Sequence, residues 1–412
     1  MKRSSLVGLV VLSGCVAAAC SASRTSAFGD NDDGSTSASS TTTTGGGFDG
    51  SGGSDFTTAT GFDPNTTGTA SSGNECVTDA GVDDDLDGFT DDQGDCNDCD
   101  INVSPGAVEV PTDPMDPMAQ MSDEDCDMET DEVEPPCDAG LAIGDLDPMK
   151  GAAAIGLCKT AGMADKLHGV ISAAYVRANG APASPGPAVG LLDNFGPNVK
   201  PREGSAILGL SAGRARDATD PDNCGKLSCY GLGAGTPPPG FPQDVPSCSG
   251  SNTINDDVGL EVVVRAPTNA TGYSFDFDFY SFEYPEWVCT SFNDQFIALV
   301  DPPPMGSING NVSFDSKKNP VSVNIAFFDV CDGCALGTGE MEGTGFNNWD
   351  DAGATSWLVT QAPVKGGETI KVRFAIWDTG DSSWDSTVLV DNFKWIATPG
   401  TTVSVGTTPV PK

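Results

Sequence analysis

The sequence predicts an all-β protein: an antiparallel two-sheet β-sandwich, jelly-roll-like, preceded by a disordered stalk and a small acidic module built on disulfides and calcium. Three observations carry this. Short apolar runs in the C-terminal half alternate with a period of two, helical periodicity is nearly absent, and 51 Gly with 29 Pro punctuate the chain. Acid outweighs base, 59 Asp plus Glu against 20 Lys plus Arg, for a formal net charge of −39. Such a chain cannot neutralise a phosphate backbone, so nucleic acid is excluded as a partner.

Taken in chain order, residues 1–14 read as an export signal. Lys2 and Arg3 form a cationic start, and residues 6–12 are an apolar run too short to span a bilayer. Leu12-Ser13-Gly14-Cys15 resembles the lipobox of bacterial lipoproteins, which implies lipidation of Cys15 and membrane attachment through that lipid. A second candidate is Cys20: cleavage before it leaves twelve other cysteines, an even set, whereas cleavage before Cys15 leaves thirteen. Val16 is not the Asp that marks inner-membrane retention, so the outer membrane is the expected location. Residues 15–74 form a Ser/Thr/Gly-rich tether that cannot bury enough surface to offset its ordering entropy. As a random coil, some 50 such residues would span on the order of 40 Å.

The acidic module occupies residues 75–137. Between Glu75 and Asp147 stand 25 Asp or Glu and no Lys or Arg. Within it, Asp83-Asp84-Asp85-Leu86-Asp87-Gly88-Phe89-Thr90-Asp91 puts carboxylates at alternate positions before a Gly, the front half of a calcium loop. Asp83, Asp85 and Asp87 are read as oxygen ligands, Phe89 as a carbonyl donor and Asp91 as a ligand through water. Position twelve is Gly94 rather than the bidentate Glu of an EF-hand, so Asp95 or Asp98 must complete the site. Hard oxygen donors select Ca²⁺ over softer metals. The following Gly94-Asp95-Cys96-Asn97-Asp98-Cys99, with Pro105-Gly106-Ala107-Val108-Glu109, resembles the MopE-type metal-binding motif of bacterial surface proteins. Asp123-Glu124-Asp125-Cys126-Asp127 resembles that motif's closing segment. The cysteines of an exported chain read as disulfides, with Cys224/Cys229 and Cys331/Cys334 as candidate local loops.

The sandwich is assigned to residues 138–398, with 399–412 as a tail. An Ala-rich patch over 147–158 predicts one short helix. Strands are expected at 260–264, 273–284, 295–300, 321–328, 356–359, 369–377 and 387–396. In the second of these, Tyr273, Phe275, Phe277 and Phe279 are expected to face the core, and Asp276, Asp278 and Tyr280 the solvent.

Two blocks carry a further resemblance. Ser281-Phe282-Glu283-Tyr284-Pro285-Glu286-Trp287-Val288 with Phe292-Asn293-Asp294-Gln295-Phe296, and the run from Lys371 through Asp378, Asp381 and Asp385 to Val390, are similar to the signatures of the choice-of-anchor L family. That resemblance implies a cell-surface protein. From the residues themselves, Glu283, Asn293 and Asp294 cluster after one strand, and Asp378, Asp381 and Asp385 lie in a loop between two others. If these loops meet at one edge, their repulsion demands a cation, read as Ca²⁺. Trp384, flanked by acids and serines, is the best-placed aromatic for ligand contact. His168 is the single His, and no nucleophile elbow or His-rich metal motif is present, so catalysis is not expected. The functional expectation is a lipid-anchored adhesion or recognition head that engages a glycan or a surface protein. A carbohydrate-binding module and a structural or metal-sequestering envelope protein are the alternatives.

Overall fold

The computed structural model describes residues 76–112, 115, 121–229, 231–325, 327–349 and 351–411. The leader, Cys15 and the tether lie outside the described residues. Twelve strands form two sheets: β1 (Gly169–Val176), β2 (Val189–Leu192), β3 (Ile207–Ser211), β4 (Ile254–Arg265), β5 (Gly272–Ser281), β6 (Gln295–Asp301), β7 (Val321–Ser322), β8 (Gly353–Ala354), β9 (Leu358–Pro363), β10 (Thr369–Thr379), β11 (Ser386–Ile396) and β12 (Gly406–Pro409). One sheet runs β1-β4-β10-β6-β7, the other β12-β9-β5-β11-β3-β2 with β8 paired to β5. Every pairing is antiparallel. The chain changes sheets between β1 and β2, β3 and β4, β4 and β5, β5 and β6, β7 and β8, β9 and β10, and β10 and β11. Crossing so often makes this a sandwich rather than two meanders side by side. The short helix α1 (Pro148–Ala153) starts at Asp147, whose side chain accepts the Met149 N–H at 3.0 Å.

The interlayer core is aromatic and β-branched: Phe275, Phe277, Phe279, Phe296, Phe374, Val262, Val264, Val372 and Val390 all belong to it. Phe275 meets Phe374 edge-on at 5.0 Å between ring centroids, and Phe277 meets Phe296 at 5.0 Å. The solvent-facing side expected for β5 is corrected: Asp276, Asp278 and Tyr280 are all buried. A second apolar cluster covers the outer face of that sheet, where Phe195 and Phe346 from loops pack on Tyr280. The buried acids are satisfied there, Asp278 by Tyr280 O–H at 2.7 Å and Asp276 by Arg202 Nε at 3.1 Å. The strand expected over 321–328 is also corrected. Only Val321–Ser322 pairs in the sheet. Segment 399–412, read as a tail, supplies β12, which pairs with β9.

All twelve cysteines from Cys76 onward are paired: Cys76–Cys99, Cys96–Cys126, Cys137–Cys158, Cys224–Cys229, Cys248–Cys289 and Cys331–Cys334. The acidic module has almost no regular structure and is stapled by the first two. It docks on the sandwich through hydrogen bonds: Ser104 Oγ with Thr268 Oγ1 at 2.8 Å, Thr268 N–H to Gly106 O at 3.0 Å, and Asn269 Nδ2 to Val108 O at 2.8 Å. Gly106 has to be Gly, since a Cβ there would lie 2.7 Å from the Phe89 ring and 2.8 Å from the Thr268 methyl.

Candidate metal centres

In the loop after Cys76, alternate acids turn inward because the backbone uses their neighbours for turns. Asp83 accepts from Leu86 N–H at 2.7 Å and Gly88 N–H at 3.0 Å, Asp85 from Asp87 N–H at 3.1 Å, and Asp87 from Phe89 N–H at 2.9 Å. Leu86 and Gly88 both take positive φ, 71° and 108°, to close this coil. Each of these bonds engages one carboxylate oxygen of Asp85 and Asp87. Their second oxygens, with those of Asp95 and Asp98, are buried and without a hydrogen-bond partner. Asp95 is 6% and Asp98 1% exposed. Ligand oxygens of Asp83, Asp85 and Asp87, and of Asp85, Asp95 and Asp98, lie within 4.8 Å of one another. Burial and the charges of Asp87, Asp85 and Asp98 push the Asp95 carboxyl up to about 6. Four orphaned oxygens of like charge, brought this close, could hold a metal ion.

Asp83, Asp85 and Asp87 are therefore brought together, and Asp95 and Asp98, the two candidates to complete the loop, both gather at Asp85. Asp91 does not, because it opens a short 3-10 turn (Asp91–Gln93) and is exposed. The Phe89 ring is buried beneath Gly106, with Lys166 Nζ 5.3 Å from its centroid. Two further groups lie within 4.8 Å, Glu109, Asp125 and Glu132, and Asp123, Asp125 and Asp127; all but Glu132 fall in the segments that resemble the metal-binding motif, without having been named as ligands. The acid alternation at 123–127 was the available signal.

The second site stands at one end of the sandwich, where the β5–β6 and β10–β11 connections cross between sheets side by side. Glu283 follows β5, Asp294 precedes β6, Asp378 lies near the end of β10 and Asp385 precedes β11. They are 2%, 0%, 1% and 4% exposed. Asp294 accepts from Thr379 N–H at 2.8 Å and Ser386 O–H at 2.7 Å, and Asp385 from Cys229 N–H at 2.8 Å. Neither oxygen of Asp378 has a partner, nor does Oε2 of Glu283. Gly213 makes room for Asp385: a Cβ there would fall 1.8 Å from its Oδ2.

Burial and neighbouring carboxylates drive these groups upward together. Glu283 is pushed to about 10, first by burial and then by Asp294, Asp385 to about 8 and Asp294 to about 7. Asp378 is raised by burial and by Asp294, Asp385, Asp256 and Glu283. Among the described residues, none of the four forms an ion pair. Asp256 was not anticipated. It sits with Asp257 in a β-bulge, two residues of β4 opposite one of β10, between the Ile376↔Val258 and Asp378↔Asn255 pairs. Two consecutive acids inside an apolar strand were its sequence signal.

Asn293 and Asp381 are less central than expected. The Asn293 amide oxygen accepts from Asn324 N–H at 3.2 Å, and Asp381 is an exposed turn cap accepting from Ser383 N–H at 3.0 Å. Three ligand atoms do not fall within 4.8 Å here as they do in the acidic module. Trp384 is half-buried and meets Trp287 edge-on at 5.4 Å, and Trp287 in turn meets Phe292 at 5.3 Å.

The fold and sites define a class: a disulfide-stapled, two-sheet β-sandwich carrying buried acidic clusters that could hold a metal ion. Residues 211–393 match the family model described as the Choice-of-anchor L domain. That span begins at the last residue of β3 and ends within β11, so it contains Glu283, Asp294, Asp378 and Asp385. No curated protein matches the chain. No helix among the described residues is long and apolar enough to cross a membrane.

Proposed function

We propose that the chain is an exported, lipid-anchored cell-surface protein whose calcium-stabilised sandwich acts as a non-catalytic adhesion or recognition head. The observation that carries the calcium reading is the set of buried carboxylate oxygens without partners: Asp85, Asp87, Asp95 and Asp98 in the module, Glu283 and Asp378 in the sandwich. Ions of that charge are not left buried unpaired, and all-oxygen donors suit Ca²⁺. Export is supported by six disulfides, which persist in oxidising compartments. The Choice-of-anchor L match supports a surface location.

A thermal melt of the oxidised chain in EDTA, Mg²⁺ and Ca²⁺ tests the reading. Preferential binding of Ca²⁺ to the native state raises the midpoint by an amount that grows with ion concentration. An equal rise in Mg²⁺, or none, removes calcium from the proposal. A second reading, a carbohydrate-binding head, is favoured by the half-buried Trp287–Trp384 pair beside the sandwich site. Under it, Trp384→Ala abolishes retention on a glycan array while the Ca²⁺-induced shift of the melt is kept.

A further inference from the structure

Beside the end of β3, within this strongly acidic chain, lies a cleft of about 130 Å³ where positive charge gathers, lined by Arg214, Arg216 and Lys226. Its wall is the loop closed by Cys224–Cys229, and Phe282 and Phe346, stacked at 4.1 Å, lie against it. Arg216 is 8% exposed. Its Nη1 donates to Val189 O at 2.9 Å and Ala215 O at 2.6 Å, while its Nε is buried without a partner. Arg214 Nη1 donates to Asp222 O, and its Nε is likewise buried and unpartnered. Among the described residues, none of the three cations forms an ion pair.

The two carboxylates that line the cleft are engaged elsewhere. Asp217 accepts from the N–H groups of Gly196 at 3.0 Å, Thr219 at 2.7 Å and Asp220 at 3.0 Å, and Asp385 Oδ2 accepts from Cys229 N–H at 2.8 Å. Asp220 and Asp222 offset part of the Arg216 charge from a distance without forming an ion pair with it, and an oxyanion with bidentate reach removes the desolvation cost that remains. We propose that this cleft binds an oxyanion group carried by a ligand, a carboxylate, sulfate or phosphate, with Arg214, Arg216 and Lys226 as its donors. At about 130 Å³ the cleft has room for such a group. Because the rest of the surface repels anions, affinity here must come from these local donors rather than from the protein's long-range field.

The test is calorimetric titration of the oxidised full chain with sodium sulfate, sodium phosphate and sodium galacturonate, each against sodium chloride at matched ionic strength. Saturable binding of at least one beyond the chloride control is expected, weakened roughly fivefold or more by Lys226→Gln and by Arg214→Gln. Lys226 is exposed, so its variant folds whatever the outcome for Arg214. Binding of galacturonate alone names a carboxylate ligand, and binding of sulfate or phosphate as well names a general oxyanion. Either supports the site. No saturable binding by any of the three, or binding indifferent to both substitutions, overturns it.

Discussion

Asp378 is 1% exposed, and neither of its carboxylate oxygens accepts a hydrogen bond. Burial and the charges of Asp294, Asp385, Asp256 and Glu283 hold its carboxyl well above the usual carboxylate range. Asp378→Asn removes a charge that burial disfavours, so in EDTA the variant gains on the parent as pH rises. At pH 9 it exceeds the parent by roughly 1–3 kcal/mol in urea unfolding. In Ca²⁺ the order reverses, because the variant loses a ligand charge. The pH dependence has a definite sign. Glu283, Asp385 and Asp294 titrate near 10, 8 and 7 when folded and near 4 when unfolded, so between those values the native state binds more protons. Stability in EDTA therefore falls as pH rises from about 5 toward 10, and a urea midpoint that climbs over that range contradicts the geometry. The acids themselves were legible, Asp83, Asp85 and Asp87 from alternation, and Asp95 or Asp98 from the need to complete a loop whose twelfth position is Gly94. The place of Asp256 was not: the Asp256-Asp257 pair marked an interruption of the strand, but which side chain a bulge turns toward the site depends on the partner strand.

β5 lies between β9 and β11 and is buried on both faces, with Phe275, Phe277 and Phe279 all 0% exposed. Phe277→Ala is expected to cost about 3–5 kcal/mol, read as a lower urea midpoint with an unchanged slope. The loop after β5 is held by Cys248–Cys289, 41 residues apart in sequence. Opening that loop by replacing both cysteines with Ser costs up to roughly 4 kcal/mol by chain entropy. Long aromatic and β-branched strands could be read directly because their side chains fill the core. β1, β2 and β3 could not, each being short or interrupted by Gly or Ala: a Cβ at Gly209 would lie 3.0 Å from both Ala215 Cβ and Leu192 Cδ1, so closeness rather than propensity selects the residue there. Segment 321–328 misleads in the other direction. It is apolar and β-branched, yet past Ser322 it is pinned by side chains, with Asn324 N–H on Asn293 Oδ1. A hydrogen-bonding partner in another loop won over the sheet.

For the whole molecule, a net charge of −39 means that any cation raises stability to some degree by screening repulsion. The effect of Ca²⁺ must therefore be separated from ionic strength before it says anything about sites. Exposed acids such as Asp84, Asp91 and Asp381 are screened by 0.5 M sodium chloride, where the Debye length is only about 4 Å. Asp95, Asp98, Asp294 and Asp378 are at most 6% exposed and feel bulk salt far less. If the ion occupies those buried clusters, millimolar Ca²⁺ raises the melting midpoint by nearly the same increment in 0.5 M as in 0.05 M sodium chloride. If it merely condenses on the acidic surface, most of the increment disappears at the higher salt. Because Asp95 and Asp98 lie in the disulfide-stapled module and Asp294 and Asp378 in the sandwich, Asp95→Asn and Asp378→Asn should each remove part of the salt-resistant increment. Their losses should add, since well-separated sites without shared partners contribute independently.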